Sequence, residues 1–240
     1  MKTAVVTGAD RGLGLALAEQ FAMNGYTVFA GKYLEDWTHL DDAAKNSGGR
    51  IRVVPLDVGR DASVREAARL IAEQTDSVDV LVNNAAVAGK LGRSGSILDE
   101  LDFDDMLNTI NINAIGSLRV THALMPHILR SGSKLVVNIS SEAGSVGQSW
   151  RVNGFGYCMS KAAMNMHSTI VYNKIKDLGG HVLNLHPGWM KGWLGGSYND
   201  AADLDPRESA AYLMAIIKRY RTYQTNQPAY LDYLGNRLKW

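Results

Sequence analysis

The feature that most constrains the fold is a regular alternation of short apolar runs with longer stretches of helical periodicity. Runs rich in β-branched residues predict strands at Thr3 to Thr7, Thr27 to Ala30, Ile51 to Leu56, Val80 to Asn83, Leu135 to Ile139, His181 to His186 and Ala229 to Asp232. Helical periodicity lies between them, at Leu13–Met23, Leu40–Asn46, Ser63–Glu73, Phe103–Arg130, Tyr157–Lys176 and Pro206–Tyr220. The first six strands are continuously apolar, which is typical of a sheet buried on both faces. The order therefore predicts an α/β fold with a doubly wound parallel sheet between two layers of helices.

Length and charge narrow the function further. A chain of 240 residues suits one α/β domain, so we expect residues 1–240 to form a single domain. A net charge of +1 predicts no nucleic-acid or membrane partner. The apolar runs are strand-sized, and we expect neither a membrane span nor a signal peptide. The single cysteine, Cys158, agrees with a reducing compartment, so we expect a cytoplasmic protein. The six histidines show no metal-ligand spacing, and no metal is expected.

A glycine-rich turn joins the first predicted strand to the first helix. It reads Thr7-Gly8-Ala9-Asp10-Arg11-Gly12-Leu13-Gly14. Glycines let a backbone approach a pyrophosphate, and a helix N-terminus offers N–H groups and a favourable dipole. A tight turn without a ligand is the alternative, but the position after the first strand favours dinucleotide binding and a Rossmann-type fold. The predicted cofactor-binding residues of this turn are Gly8, Asp10, Arg11, Gly12, Leu13 and Gly14.

Tyr157 and Lys161 are spaced so that both side chains share one face of a predicted helix. A tyrosine that exchanges a proton near neutral pH needs its pKa shifted from about 10 to about 7, or roughly 4 kcal/mol. A neighbouring ammonium, together with the positive ring of an oxidised nicotinamide, would supply that stabilisation.

The same spacing recurs at Tyr172 and Lys176, so context must separate the two pairs. Tyr157 follows Ser141, which lies just beyond a predicted strand. The carboxyl edge of the sheet is where open α/β folds bind ligands. We therefore predict that Tyr157 and Lys161 are catalytic together with one of the two serines that follow this strand, Ser140 or Ser141, and that Tyr172 is structural.

Several motifs together resemble the short-chain dehydrogenase/reductase family over essentially the whole chain. The glycine turn matches the family's T-G-x-x-x-G-x-G, and Tyr157 to Ala163 matches Y-x-x-S-K-A-A. Asn83-Asn84-Ala85-Ala86 is similar to the family's N-N-A-G. His186-Pro187-Gly188-Trp189 and the C-terminal stretch from Tyr230 resemble the branch of C-factor and sniffer-like carbonyl reductases.

The resemblance implies further roles. Ser141-Glu142-Ala143-Gly144 matches the family's S-x-x-G, which implies that Ser141, rather than Ser140, is the catalytic serine. Asn113, in N-x-x-G, would be a fourth catalytic residue that holds a water near the lysine. Asn111 is the nearby alternative, and an exposed polar position is the alternative role for Asn113. Further residues are implied to bind the cofactor: Asp57, Val58, Asn84, Pro187 and Gly188, together with Tyr157 and Lys161. Gly192 stands where the family has a threonine, so either Ser197 substitutes or the cofactor carboxamide is held less tightly.

The end of the second strand usually decides between NAD and its 2′-phosphorylated form. Lys32 occupies the position where NAD-preferring family members have an aspartate, and Arg11 lies in the glycine turn. Two cations without a carboxylate favour NADP(H) over NAD(H). Glu35 and Asp36 follow closely and could intrude.

The resulting prediction is an NAD(P)(H)-dependent oxidoreductase that reduces a small aldehyde, ketone or quinone, with Tyr157 as proton donor. The apolar residues around Trp150, Phe155 and Trp189 suit such a substrate. Arg151 is either solvated or paired with a substrate carboxylate. The alternative function is a nucleotide-sensing or interaction protein with little turnover. The family resemblance implies a homodimer or homotetramer.

Overall fold

The computed structural model describes residues 2–89, 95–194 and 198–240. One seven-stranded sheet runs through this part of the chain. Its strands are β1 (Thr3–Val6), β2 (Thr27–Lys32), β3 (Ile51–Pro55), β4 (Val80–Asn83), β5 (Leu135–Ile139), β6 (His181–His186) and β7 (Ala229–Asp232). They are ordered β3-β2-β1-β4-β5-β6-β7, and every neighbouring pair is parallel. The predicted doubly wound parallel sheet is confirmed.

Helices cover both faces of the sheet. They are α1 (Gly12–Met23), α2 (His39–Asn46), α3 (Asp61–Ala72), α4 (Phe103–Ile110), α5 (Ser117–Arg130), α6 (Phe155–Ile175) and α7 (Pro206–Lys218). One apolar core joins α1 and α7 to the sheet through residues such as Leu17, Phe21 and Leu213. A second joins α3, α5 and α6 to the other face through residues such as Ile71 and Leu124. The three layers are therefore held by two separate cores.

The strand order changes direction between β1 and β4, which creates a crevice at the carboxyl edge of the sheet. Open α/β sheets bind their ligands at such a switch point. The chain delivers Thr7, Asn84, Ser140 and Pro187 to this edge, since each directly follows one of the central strands.

The region expected to be one helix, Phe103–Arg130, is interrupted. A π-helical segment, Asn111–Gly116, separates α4 from α5, so the expectation of a regular helix was wrong over these residues. The cause lies in side chains that bond outside the helix: Asn111 donates to the carbonyl of Gly59, and Asn113 bonds to the backbone of Val87. Widened turns of this kind frequently occur at functional sites.

No helix in the described part of the chain combines the length and apolar character that crossing a bilayer requires.

Candidate functional site

The glycine turn is bonded directly to the end of β4. The Thr7 hydroxyl accepts hydrogen bonds from the backbone N–H groups of Asn84 and Ala85, both at 3.0 Å. The Asn84 amide donates to the carbonyls of Thr7 and Gly8, again at 3.0 Å. A Cβ on Gly14 would lie 2.1 Å from the Gly8 oxygen. Asn84 and Gly14 therefore fix the shape of the turn.

The N-terminus of α1 is suited to an anion. The helix begins at Gly12, whose φ of +57° favours glycine, and a Cβ there would meet no heavy atom within 4 Å. Arg11 at the N-cap makes no capping hydrogen bond through its side chain, and the first turn holds no acidic residue. The free N–H groups of the first turn fit the pyrophosphate of a dinucleotide.

Two residues of the turn, Asp10 and Leu13, make contacts that fix the local structure. The buried Asp10 carboxylate accepts hydrogen bonds from the N–H groups of Tyr33 and Leu34, both at 2.7 Å. Asp10 thereby positions the segment that follows β2. The Leu13 side chain is buried in the core that joins α1 to the sheet.

The surroundings of the second strand correct the expectation that no carboxylate lies beside Lys32. The Lys32 ammonium forms an ion pair with Asp41 of α2 at 2.6 Å, and both side chains are partly buried. Sequence reasoning considered Glu35 and Asp36 and missed Asp41. A usable signal existed, because acidic residues favour the first turn of a helix and Asp41 lies there.

Arg11 is stacked between two tryptophans. Its guanidinium carbon lies 4.4 Å from the ring centre of Trp37 and 5.5 Å from that of Trp193. The two indoles meet edge to face at 5.5 Å. The cation predicted to bind a phosphate therefore also joins the segment after β2 to the segment after β6.

The remaining predicted cofactor residues lie at the ends of β3 and β6. Asp57 accepts a hydrogen bond from the Gly59 N–H at 2.9 Å, and Val58 is buried. Pro187 accepts a hydrogen bond from the Ser209 hydroxyl at 2.7 Å. A Cβ on Gly188, which has a φ of +86°, would lie 2.5 Å from Leu204.

Ser141 follows β5 and precedes a short 3-10 turn, Glu142–Gly144. Its hydroxyl accepts a hydrogen bond from the Ala143 N–H at 3.2 Å and interacts with the Tyr157 phenol. The neighbouring Ser140 hydroxyl donates instead to Asn165 at 2.7 Å. The structure thus brings Ser141, and not Ser140, to Tyr157.

Lys161 is almost completely buried, with 2% of its surface exposed. Its ammonium donates to the carbonyl of Ile139 at 2.8 Å and lies 5.6 Å from the ring centre of Tyr157. Burial lowers the pKa of Lys161 to about 7. A lysine with this pKa exchanges its proton readily near neutral pH.

The acidification expected for Tyr157 is not supplied by the chain's own side chains. Burial raises the pKa of Tyr157 to about 12, and the hydrogen bond with Ser141 opposes this shift. Glu142 raises the pKa further, whereas Arg151 lowers it. The loss of hydration destabilises the Tyr157 phenolate by more than its polar neighbours stabilise it.

Asn113 is buried, so the alternative of an exposed polar position was wrong. Its amide accepts from the Val87 N–H at 2.8 Å and donates to the Val87 carbonyl at 2.8 Å and to the Ser160 hydroxyl at 2.9 Å. Both amide hydrogens are used. Asn111 points elsewhere, to Gly59 and Arg119.

The segment before Tyr157 lines a cavity of about 490 Å³. The lining side chains include Val152, Phe155, Cys158 and Met159. Arg151 is paired with Glu142 and lies 5.1 Å from the ring centre of Trp150. Arg151 is exposed to solvent, as one of the two alternatives expected, and its guanidinium also forms an ion pair with Glu142 of the same chain.

Gly192 has a φ of +154°, a backbone conformation that residues with a side chain rarely adopt. It exchanges two backbone hydrogen bonds with Asn199, at 3.1 and 2.8 Å. Ser197, the suggested substitute for the missing threonine, lies outside the described residues. Within the described ranges no group of three or more His, Cys, Asp or Glu side chains could hold a metal ion.

With this geometry established, comparison with known proteins defines the class. Residues 2–202 match the family model described as short chain dehydrogenase. The chain belongs to the short-chain dehydrogenase/reductase family, whose members are NAD(P)-dependent oxidoreductases, and it is an enzyme of this class.

Particular relatives sharpen that assignment. C-signal of Myxococcus xanthus is 32% identical over 166 residues, which are 69% of this chain and 95% of that protein. The NADPH-bound carbonyl reductase from chicken fatty liver is 26% identical, with a TM-score of 0.85 over 100% of this chain and 99% of that one. The fold also matches the carbonyl reductase Sniffer of D. melanogaster, with a TM-score of 0.88, 24% identity and 100% of both chains covered. The resemblance to the C-factor and sniffer-like branch is confirmed.

Proposed function

We propose that the protein is an NADP(H)-dependent carbonyl reductase that acts on a small aldehyde, ketone or quinone. The observation that carries the proposal is the convergence of Ser141, Tyr157 and Lys161 at the carboxyl edge of the sheet, beside the glycine turn. The domain would span residues 1–240, and the protein would act in the cytoplasm.

In this proposal each residue has a defined task. The Ser141 hydroxyl donates a hydrogen bond to the substrate carbonyl oxygen and stabilises the charge that develops there. The Tyr157 hydroxyl gives its proton to that same oxygen. The glycine turn, Asp57 and the Pro187-Gly188 backbone would hold the dinucleotide, which when bound would supply the hydride.

Lys161 orients and tunes this centre. Its bond to the Ile139 carbonyl fixes the ammonium beneath the Tyr157 ring. Since its pKa lies near 7, Lys161 can return a proton to Tyr157 after each turnover. Asn113 would support this proton path through its bond to Ser160. Because both of its amide hydrogens are already used in hydrogen bonds, it would hold a water only through its remaining acceptor atoms.

An apolar substrate is favoured by the residues next to the catalytic ones in the sequence. The segment before Tyr157 contributes Phe155 to a cavity whose surface is mainly apolar, and the indoles of Trp150 and Trp189 are exposed. Arg151 is occupied by Glu142, which leaves little free positive charge for an acidic substrate. Such a surface suits an aldehyde, a ketone or a quinone.

The decisive experiment gives the purified protein NADPH and a panel of aldehydes, ketones and quinones, and follows NADPH absorbance at 340 nm. Carbonyl-dependent oxidation of NADPH is the expected result. Cofactor binding, measured separately by fluorescence, distinguishes the rival function. Binding of NADPH without turnover across the panel would favour a nucleotide-sensing protein instead.

The proposed preference for NADP(H) rests on Arg11 and Lys32, and Asp41 modulates it. The Asp41 carboxylate competes with a 2′-phosphate for the Lys32 ammonium. We expect Asp41→Asn to raise the ratio of kcat/KM for NADPH over NADH by about tenfold, which is the effect of about 1.4 kcal/mol.

The matched control is Asp42→Asn on the same helix, whose carboxylate forms an ion pair with the exposed Lys45 at 3.6 Å. That variant should leave the ratio within about twofold of wild type, because exposed pairs contribute little. A ratio that moves toward NADH in Asp41→Asn would contradict the proposed cofactor preference.

A homodimer or homotetramer is also proposed, on the strength of an exposed apolar stripe on α6. Met159, Met166 and Ile170 lie on one face of that helix, and between 45% and 63% of each is exposed. Leu107 of α4 is 65% exposed. Sedimentation velocity would test this, and a monomer at micromolar concentration would contradict it.

A further inference from the structure

We propose that Tyr230, on the last strand of the sheet, is a positioning residue for the catalytic serine. Its hydroxyl holds the main-chain carbonyl of Ser141 and thereby sets where the Ser141 hydroxyl lies relative to Tyr157. This inference rests on the proposed function, since it concerns the same site.

The contact is a buried one. Tyr230 has 1% of its surface exposed, and its hydroxyl donates to the Ser141 carbonyl. The same carbonyl accepts a hydrogen bond from the Gly144 N–H at 3.0 Å. Both acceptor positions of this oxygen are therefore used, one from within the turn and one from β7.

The C-terminal segment, residues 230–240, also holds the far end of the same turn. The ring of Trp240 packs on Tyr230 with 5.1 Å between ring centres. The carbonyl of Trp240 accepts hydrogen bonds from the Gly147 N–H at 2.9 Å and from the Ser145 hydroxyl at 3.5 Å. The segment folds back on itself through a bond from the Leu238 N–H to the Tyr230 carbonyl at 2.9 Å. Residues 141–147 are thus clamped at both ends by one segment.

Helix α6 anchors the turn from the opposite side. The Asn165 amide accepts from the Ser140 hydroxyl at 2.7 Å and donates to the Gly144 carbonyl at 3.2 Å. Ser141 therefore lies between a contact from α6 and a contact from β7. Catalytic groups need to be held to within about 0.5 Å, and a displacement of about 1 Å can cost roughly a hundredfold in rate. The loss of either anchor should reach the serine hydroxyl.

The chain offers a matched control at the other end of β5. Tyr220 is likewise buried, and its hydroxyl donates to a main-chain carbonyl, that of Ser133, at 3.1 Å. Ser133 precedes β5, at the edge of the sheet opposite the candidate site. Tyr220→Phe removes the same chemical group from a comparable environment without touching the turn.

The test compares Tyr230→Phe with Tyr220→Phe in steady-state kinetics with NADPH and the best carbonyl substrate of the panel. We expect Tyr230→Phe to lower kcat by about tenfold or more, with the Kd for NADPH within about twofold of wild type. Tyr220→Phe should keep kcat within about twofold, although both variants lose similar thermal stability. Equal kcat values in the two variants would overturn the proposal.

Hydrogen exchange supplies a readout that does not depend on turnover. In Tyr230→Phe, amides of residues 141–147 should exchange faster than in wild type, whereas Tyr220→Phe should leave that peptide unchanged. Unchanged exchange in Tyr230→Phe would also overturn the proposal. If the wild-type protein reduces no carbonyl, the proposed function fails while this comparison still decides the role of Tyr230.

A second variant covers the case in which Tyr230→Phe does not fold. Trp240 is 36% exposed, so Trp240→Ala leaves the core intact and removes only the ring that packs on Tyr230. Faster exchange of residues 141–147 with a kcat reduced by about threefold is the expected outcome. A kcat and an exchange rate equal to those of wild type would contradict the clamp.

Discussion

The same tyrosine–lysine spacing occurs at the start and at the end of helix α6, but the two pairs have different surroundings. At its start, Lys161 is buried against the Ile139 carbonyl and lies beneath the Tyr157 ring. At its end, the Tyr172 hydroxyl donates to the Thr225 carbonyl at 2.7 Å, and Lys176 is exposed in a 3-10 turn. Spacing brings two side chains to one face of a helix, but the surroundings of that face decide their chemistry.

The difference arises from where each end of α6 meets the sheet. The first turns pack against the segment that leaves the carboxyl edge of β5, which opens to the crevice. The last turn lies at the amino edge, where Tyr172 is enclosed in the apolar core shared by α3, α5 and α6. Open α/β sheets bind their ligands at the carboxyl edge, so Tyr157 lies where a ligand would bind and Tyr172 does not.

The strongest test of this difference removes the hydroxyl of Tyr157 in one variant and that of Tyr172 in another. Tyr157→Phe should lower kcat by about 10²–10⁴, because it removes the proton donor. Tyr172→Phe should keep kcat within about twofold and reduce the free energy of unfolding by roughly 1–2 kcal/mol, because the Thr225 carbonyl loses its donor. Steady-state kinetics and urea unfolding of both variants check this. Turnover retained in Tyr157→Phe would remove that residue as the donor.

The lysines give a smaller effect and a distinct pH signature. Lys161→Met should lower kcat by about a hundredfold, and Lys176→Met should leave it unchanged. The folded pKa of Lys161 lies near 7 and the unfolded value near 10.5, so the unfolded chain binds more protons between these limits. The free energy of unfolding of the wild type should therefore gain from this group as the pH rises from 7 to 9.

Urea unfolding at pH 7, 8 and 9 measures that gain. Lys161→Met should lack it, whereas Lys176→Met should retain it in full. The same pH dependence in wild type and Lys161→Met would show that Lys161 does not titrate in this range.

The smallest expected effects come from two glycines that flank the two pairs. A Cβ on Gly144 would lie 2.8 Å from the backbone carbon of Lys161, so Gly144→Ala must push the serine turn away from α6. We expect kcat of Gly144→Ala to fall by about tenfold.

Gly179 is the matched control. It lies beyond the end of α6, with a φ of +76° and no close neighbour. Gly179→Ala should cost only about 1 kcal/mol of stability, with kcat unchanged. Normal kcat in Gly144→Ala would mean that the close packing of this turn is not required.

Much of the fold was readable from local patterns. Apolar runs predicted the seven strands, and helical periodicity predicted the regions of the helices, with α4 and α5 expected as one; most ends are displaced by only a residue or two. The interruption at Asn111–Gly116 was not predicted, because it depends on bonds to Val87 and Gly59, which are distant in sequence. The motif around Asn113 indicated a candidate functional residue in this segment, but it did not predict the π-helical geometry.

The candidate site shows the same division. Sequence context, and not spacing, separated Tyr157 from Tyr172, and the family resemblance selected Ser141 over Ser140. In the structure Ser141 interacts with Tyr157, whereas Ser140 bonds to Asn165 and Tyr172 bonds to Thr225. Motif analysis did not predict the ion pair between Lys32 and Asp41. This pair joins the end of β2 to α2, so it depends on how the strand and the helix pack against each other.

By itself the sequence determined the order of elements, the parallel sheet and the positions of the chemically reactive side chains, because these follow from periodicity and from turn residues. Only the tertiary structure decided how those side chains are tuned. Burial sets the pKa of Lys161 near 7 and that of Tyr157 near 12, and contacts from β7 and α6 hold Ser141. Both burial and such contacts join residues far apart in the chain, and no local pattern encodes them.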